Sequence, residues 1–223
     1  MDRNEFLAWL GIIIAIPGFL LLFASRDWAI GILILLLIGA FAWFYWRSHR
    51  PPFTIKQISK TLEIMSDSGD LARLKRTQSA VANITATEFW CRNVGADGSI
   101  GNIRIDGQAP DEIVHELGRQ HVCKRFRHPL KPRERFNLEV EYELVDSFPG
   151  STEGLLHICD VRCDQIELKV IFRPARQPRN PRLFARYSGT ETELQKPVQN
   201  GLTLQATIQR TRVGAEYELE WTW

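Results

Sequence analysis

Cysteine is scarce in this chain. Four residues in 223 are too few for a disulfide-stapled scaffold, and a chain of this length builds a core without staples, so a reducing compartment is the simpler setting. Net charge is nearly absent as well. Twenty-eight basic side chains against 26 acidic ones leave +2, which excludes a domain that works by bulk attraction to nucleic acid and confines any anion site to a local patch. Catalytic signatures are missing too. No GxSxG elbow, HExxH pair, Walker A loop or GxGxxG turn occurs, so the common routes to acyl transfer, zinc proteolysis and nucleotide hydrolysis are not written here. The chain reads as nonenzymatic, with no catalytic residue, cofactor or metal expected.

Charge is missing in a more telling way from the first fifth. Residues 6–24 and 28–46 are each 19 long without a charged side chain, close to the roughly 20 apolar residues that cross a bilayer as helix. Only Ser25, Arg26 and Asp27 separate them, so residues 1–50 are expected to form an α-helical transmembrane hairpin with a tight turn. Arg47, Arg50, Lys56 and Lys60 follow the second run, and the excess of basic residues there places both termini in the cytoplasm of a two-span inner-membrane protein. Gly11 and Ala15 stand four apart, a small-xxx-small pair suited to helix packing and self-association.

From Pro51 and Pro52 onward the periodicity changes to two. Residues 54–65 are loosely patterned, and clearer strands are expected over 72–84, 87–92, 99–105, 135–144, 155–159, 165–172, 183–187, 202–209 and 215–221. Turn chemistry such as Asp106-Gly107, Ser188-Gly189 and Asn200-Gly201 lies between them. About nine strands without intervening helices predict an all-β sandwich or barrel over residues 51–223. The only helical candidate is 110–117, where Pro110, Asp111 and Glu112 suit a first turn, although a loop fits nearly as well.

Candidate sites are few. His157, Cys159 and Cys163 offer one imidazole and two thiols within seven residues, but no fourth zinc ligand stands nearby, and buried small side chains are the better reading. A cytoplasmic setting disfavours pairing these thiols by oxidation. The i, i+2 carboxylates Glu139 with Glu141 and Glu218 with Glu220 read as solvated strand faces. Positive charge is more informative. Lys124, Arg125 and Arg127 fall in one basic run, and Arg173, Arg176, Arg179 and Arg182 recur every three residues between prolines. A polyproline II turn would stack those four arginines along one edge as an anion patch. Solvated loops, anionic headgroups, a nucleotide and RNA are the competing uses of that charge.

The layout of residues 6–46 followed by a strand-rich tract ending at Tyr217, Leu219 and Trp221 resembles the two-transmembrane effectors of bacterial antiphage defence, of cyclic-oligonucleotide or retron type. The resemblance is architectural and carries no ligand-binding residue. It implies a membrane-anchored effector whose β domain senses a trigger, oligomerises and disrupts the inner membrane. Its partners would be the lipid bilayer, further copies of itself, and a nucleotide signal or regulatory protein. The alternative is a constitutive membrane-tethered adaptor or binding module.

Overall fold

The computed structural model describes residues 26–48, 51–116 and 119–223. The chain divides into two units, Met1–Pro51 and Pro52–Trp223. The first contributes one described element, helix α1 (Arg26–Ser48), which already includes Arg26 and Asp27 of the expected hairpin turn. Among the described residues no helix is long and apolar enough to cross a membrane. The transmembrane hairpin is therefore corrected. The two-span inner-membrane placement is corrected with it. Residues 6–24, with Gly11 and Ala15, lie outside the described residues.

The β-sandwich part of the expectation fits the second unit. Its strands are β1 (Phe53–Ile64), β2 (Leu71–Ala82), β3 (Ala86–Val94), β4 (Ser99–Ile105), β5 (Glu112–Glu116), β6 (Arg119–Leu130), β7 (Arg135–Val145), β8 (Thr152–Ile158), β9 (Cys163–Ile171), β10 (Arg179–Tyr187), β11 (Thr190–Glu193), β12 (Val198–Asn200), β13 (Thr203–Gln209) and β14 (Glu216–Thr222). Seven form one sheet in the order β12-β13-β9-β1-β2-β7-β4. Within it, β1 and β9 run parallel and the other pairs antiparallel. Two smaller sheets, β11-β10-β14-β8 and β3-β6-β5, share one hydrophobic core with it.

Period-2 burial makes these strands. Along β2, Ala72, Leu74, Arg76, Gln78, Ala80 and Ala82 are all buried, and along β14 Tyr217, Leu219 and Trp221 are, as inward positions of a sheet should be. The segment 110–117 is not a helix. Its Ile113-Val114 pair is β-branched and favours a strand, and β5 takes up that preference by pairing with β6.

Each small sheet is clamped to the large one by aromatic rings. Phe89 of β3 and Phe126 of β6 meet Phe136 of β7 edge-on, at 5.3 Å between centroids in both cases, and Phe89 also meets Phe53 of β1 at 5.0 Å. Trp221 of β14 meets Phe172, just past β9, at 5.3 Å and Phe148 at 6.1 Å. Edge-to-face pairs at these distances add to the area they bury. Trp221 is fully buried at the centre of the second clamp, so Trp221→Ala should lower stability by about 3–5 kcal/mol. Urea unfolding of the protein, followed by circular dichroism, measures this.

Candidate functional site

Between the two clamps the core is polar. Lys60 of β1 and Arg76 of β2 stand directly opposite each other in register, both turned inward, at 6% and 5% exposure. Neither forms an ion pair with a carboxylate among the described residues. Instead each reaches a backbone carbonyl. Lys60 Nζ donates to Leu156 O of β8 at 2.9 Å, and Arg76 Nη1 donates to Arg92 O of β3 at 2.9 Å. β8 and β3 are edge strands of their sheets. The two buried cations thus cap the facing edges of the two small sheets, and the second layer of the sandwich is split between them.

The split opens as a cleft of about 490 Å³. Lys60, Leu74, Tyr142 and Leu155 line it from the core, residues 152–156 of β8 form one side, and Asn93 with the following 95–97 loop contributes to the other. Asp97, Glu153, Glu218 and Glu220 line it against Arg119 and Lys60. A side chain at Gly154 of β8 would displace the Glu218 carboxylate from its place beside the strand.

Burial sets the protonation of this site. Desolvation first, and repulsion from Arg76 next, bring the Lys60 amine down to about 7. His157 of β8, buried to 1% exposure with no hydrogen-bond partner on either ring nitrogen, is held well below the usual imidazole range by burial and then by Lys60 and Arg76. Burial likewise pushes up the Tyr142 hydroxyl and the Cys91 thiol. At the rim, burial holds the Glu153 carboxyl above its usual range, with the Gly150 N–H opposing and Asp97 adding to it. Arg76 Nε and Gln78 Oε1 also lack partners. A lysine poised near neutrality beside an uncharged imidazole makes the cleft floor weakly cationic, while its rim is acidic.

Most residues of the expected anion patch engage acidic or backbone partners. Lys124, Arg125 and Arg127 lie on β6, a strand where the sequence reading had only a basic run. Lys124 stands 3.9 Å from Asp106, and Arg125 pairs with Glu112 at 3.0 Å. Arg173 and Arg176 precede β10, which begins at Arg179, and a bulge between Arg179 and Arg182 sets those two opposite Thr222 and Glu220 of β14. Arg173 pairs with Asp67 at 3.7 Å, and Arg182 with Glu193 at 2.9 Å. Arg176 Nη1 donates to Ser68 O and, at 3.1 Å, to Phe148 O, while its guanidinium lies 4.1 Å over Trp223. Arg179 is exposed, opposite Thr222.

The paired carboxylates divide. Glu139 and Glu141 bridge to Lys75 and Arg73 on the outer face, whereas Glu218 and Glu220 reach the cleft. Among the described residues no group of three or more His, Cys, Asp and Glu is placed to hold a metal. Lys60 is the functional residue the sequence reading passed over, counted there as basic flank. The alternation Ile58, Lys60, Leu62, Ile64 was the available signal that it points inward.

No family model matches the chain, and no curated protein matches it. Among solved structures, it is similar to a two-domain M1 zinc metallopeptidase bound to L-tryptophan (13% identity, TM-score 0.44, 78% of this chain and 43% of that one). It is similar also to an M1 zinc metallopeptidase from Deinococcus radiodurans (12%, 0.43, 77% and 42%). A third match is yeast LTA4 hydrolase in complex with bestatin (10%, 0.45, 75% and 28%). The chain spans less than half the length of each of these structures. Scores this low at such identities carry no argument about its fold, metal or activity.

The depressed Lys60 fixes the sign of a pH effect. The unfolded lysine binds its proton up to about 10.5 and the folded one only up to about 7, so the unfolded state holds the extra proton between those values. Stability should therefore fall as pH is lowered from 10.5 to 7, by roughly 3–5 kcal/mol, and then level off until His157 protonates in the unfolded chain. Lys60→Met should flatten the alkaline part of that curve. Urea midpoints measured across pH 7–10 check both expectations.

Proposed function

We propose that Pro52–Trp223 is a noncatalytic binding module that takes a short, extended, lysine- or arginine-bearing peptide in the cleft between β8 and β3. The observation that carries this reading is the cleft itself, walled by residues 152–156 of the edge strand β8 and rimmed by Asp97, Glu153, Glu218 and Glu220. An extended peptide adds to a free edge through main-chain hydrogen bonds. Opposite charge at the rim favours a basic occupant and steers its approach. The effector expectation rested on the two-span layout. What stays is its sensing half, a β domain that recognises a partner. A nucleotide signal is the weaker occupant, since a phosphate would meet the Asp97, Glu153 and Glu220 carboxylates at the rim and Arg173, Arg176 and Arg182 are engaged elsewhere.

Two labelled hexapeptides test this, one alternating Lys and Val and one alternating Glu and Val. Fluorescence anisotropy should show binding of the basic peptide alone, with chemical-shift changes at the Gly154 and Leu156 amides. The double change Asp97→Asn, Glu153→Gln should weaken it roughly tenfold, as expected for the loss of two charge pairs. Affinity should also fall as pH drops through the Glu153 titration. Equal affinity for both peptides, or shifts confined to other strands, would overturn the assignment.

A further inference from the structure

The turn from β8 to β9 carries a second arrangement that the cleft does not use. Cys159 and Cys163 are free and buried, separated by Asp160, Val161 and Arg162, of which the last two are exposed. The Cys159 thiol donates to Thr211 Oγ1 at 3.4 Å and to Val161 O at 3.2 Å. Cys163 Sγ lies 3.4 Å from the same Thr211 oxygen. Thr211 itself is pinned, donating to Cys163 O at 2.9 Å and accepting from Cys163 N at 3.0 Å. One threonine hydroxyl thus contacts both sulfurs, each at 3.4 Å, beside the three-residue turn.

Their chemistry is unequal. Interaction with Cys163 first, and with Thr211 as well, lowers the Cys159 thiol against the opposing effect of its burial. Cys163 is pushed up by that same pairing and then by burial. The two remaining cysteines do not form such a pair. Cys123 stands opposite Trp90, and Cys91 opposite Val122, so the two thiols leave opposite faces of their sheet, and burial raises both of them, Cys123 to about 11.

We propose that Cys159 and Cys163 form a reversible intramolecular disulfide, with Cys159 the thiol attacked by a small peroxide and Cys163 the resolving thiol. The Cys159 thiolate attacks one oxygen of hydrogen peroxide and the O–O bond breaks. Hydroxide leaves, takes up a proton as water, and Cys159 becomes a sulfenic acid. Cys163 gives up its proton and attacks that sulfur. The S–O bond breaks, a second water leaves, and the S–S bond forms. Two thiols and one peroxide thus yield one disulfide and two waters, and a dithiol reductant reverses the change. The pair closes the end of β8, the strand that walls the cleft, so oxidation would tether the cleft's side.

The test uses the full chain, treated with hydrogen peroxide and then alkylated without reduction. Peptide mapping should find Cys159 joined to Cys163, two hydrogens lighter than the free pair, with Cys91 and Cys123 alkylated. Dithiothreitol should restore both thiols. In Cys163→Ser, Cys159 should stop at the sulfenic acid and accept dimedone. In Cys159→Ser, peroxide consumption should fall at least about tenfold. Wild-type protein in which both thiols stay alkylatable after peroxide, or in which Cys123 oxidises first, would overturn the proposal without reliance on either variant.

Discussion

Two hydrogen bonds from buried cations to strand-edge carbonyls govern the arrangement of this β domain. Lys60 to Leu156 and Arg76 to Arg92 hold the edges of two small sheets over neighbouring strands of the large one. Bringing a charged group out of water costs several kcal/mol even after relaxation. A hydrogen bond to a charged donor returns about 1.5–3 kcal/mol, so two such bonds do not offset two buried cations. The Lys60 amine responds by approaching neutrality at about 7. The aromatic clamps around Phe136 and Trp221 carry the remaining cost, and the polar strip between them is a local sacrifice of stability.

That sacrifice keeps the second layer open. Were Lys60 and Arg76 apolar, the two small sheets would have no polar groups holding their edges apart, and the space between them would be free to close as core. With them in place, β8 and β3 stay separate and Tyr142, Lys60 and Leu155 line an open cleft. The same two hydrogen bonds therefore hold the edges and shape the space beside them.

Much of the strand pattern was legible. Residues 99–105 and 135–144 match β4 and β7 within one residue, because alternation between a buried and a solvated face is local to the chain. Failures came where a local signal had two readings. Lys124, Arg125 and Arg127 read as a basic run and are a strand, since charged residues can occupy outward positions without weakening a sheet. Residues 110–117 carry good first-turn chemistry and yet pair with β6, a partner only tertiary structure supplies. The apolar runs read as spans from length and absence of charge alone, and the described helix does not bear out that step.

The amino-acid sequence by itself determined the β character of residues 52–223 and the alternation of strands such as β7 and β14, because period-2 burial and turn chemistry act over a few residues. Tertiary structure alone decided the rest. Lys60 and Arg76 became neighbours through strand register, Glu153 and Glu220 came together on paired strands beside one cleft although 67 positions separate them, and Thr211 reached Cys159 and Cys163 from a distant turn. Contacts of that range depend on which edges pair and how layers stack. No spacing along the chain encodes them, because the same alternation is compatible with many strand orders.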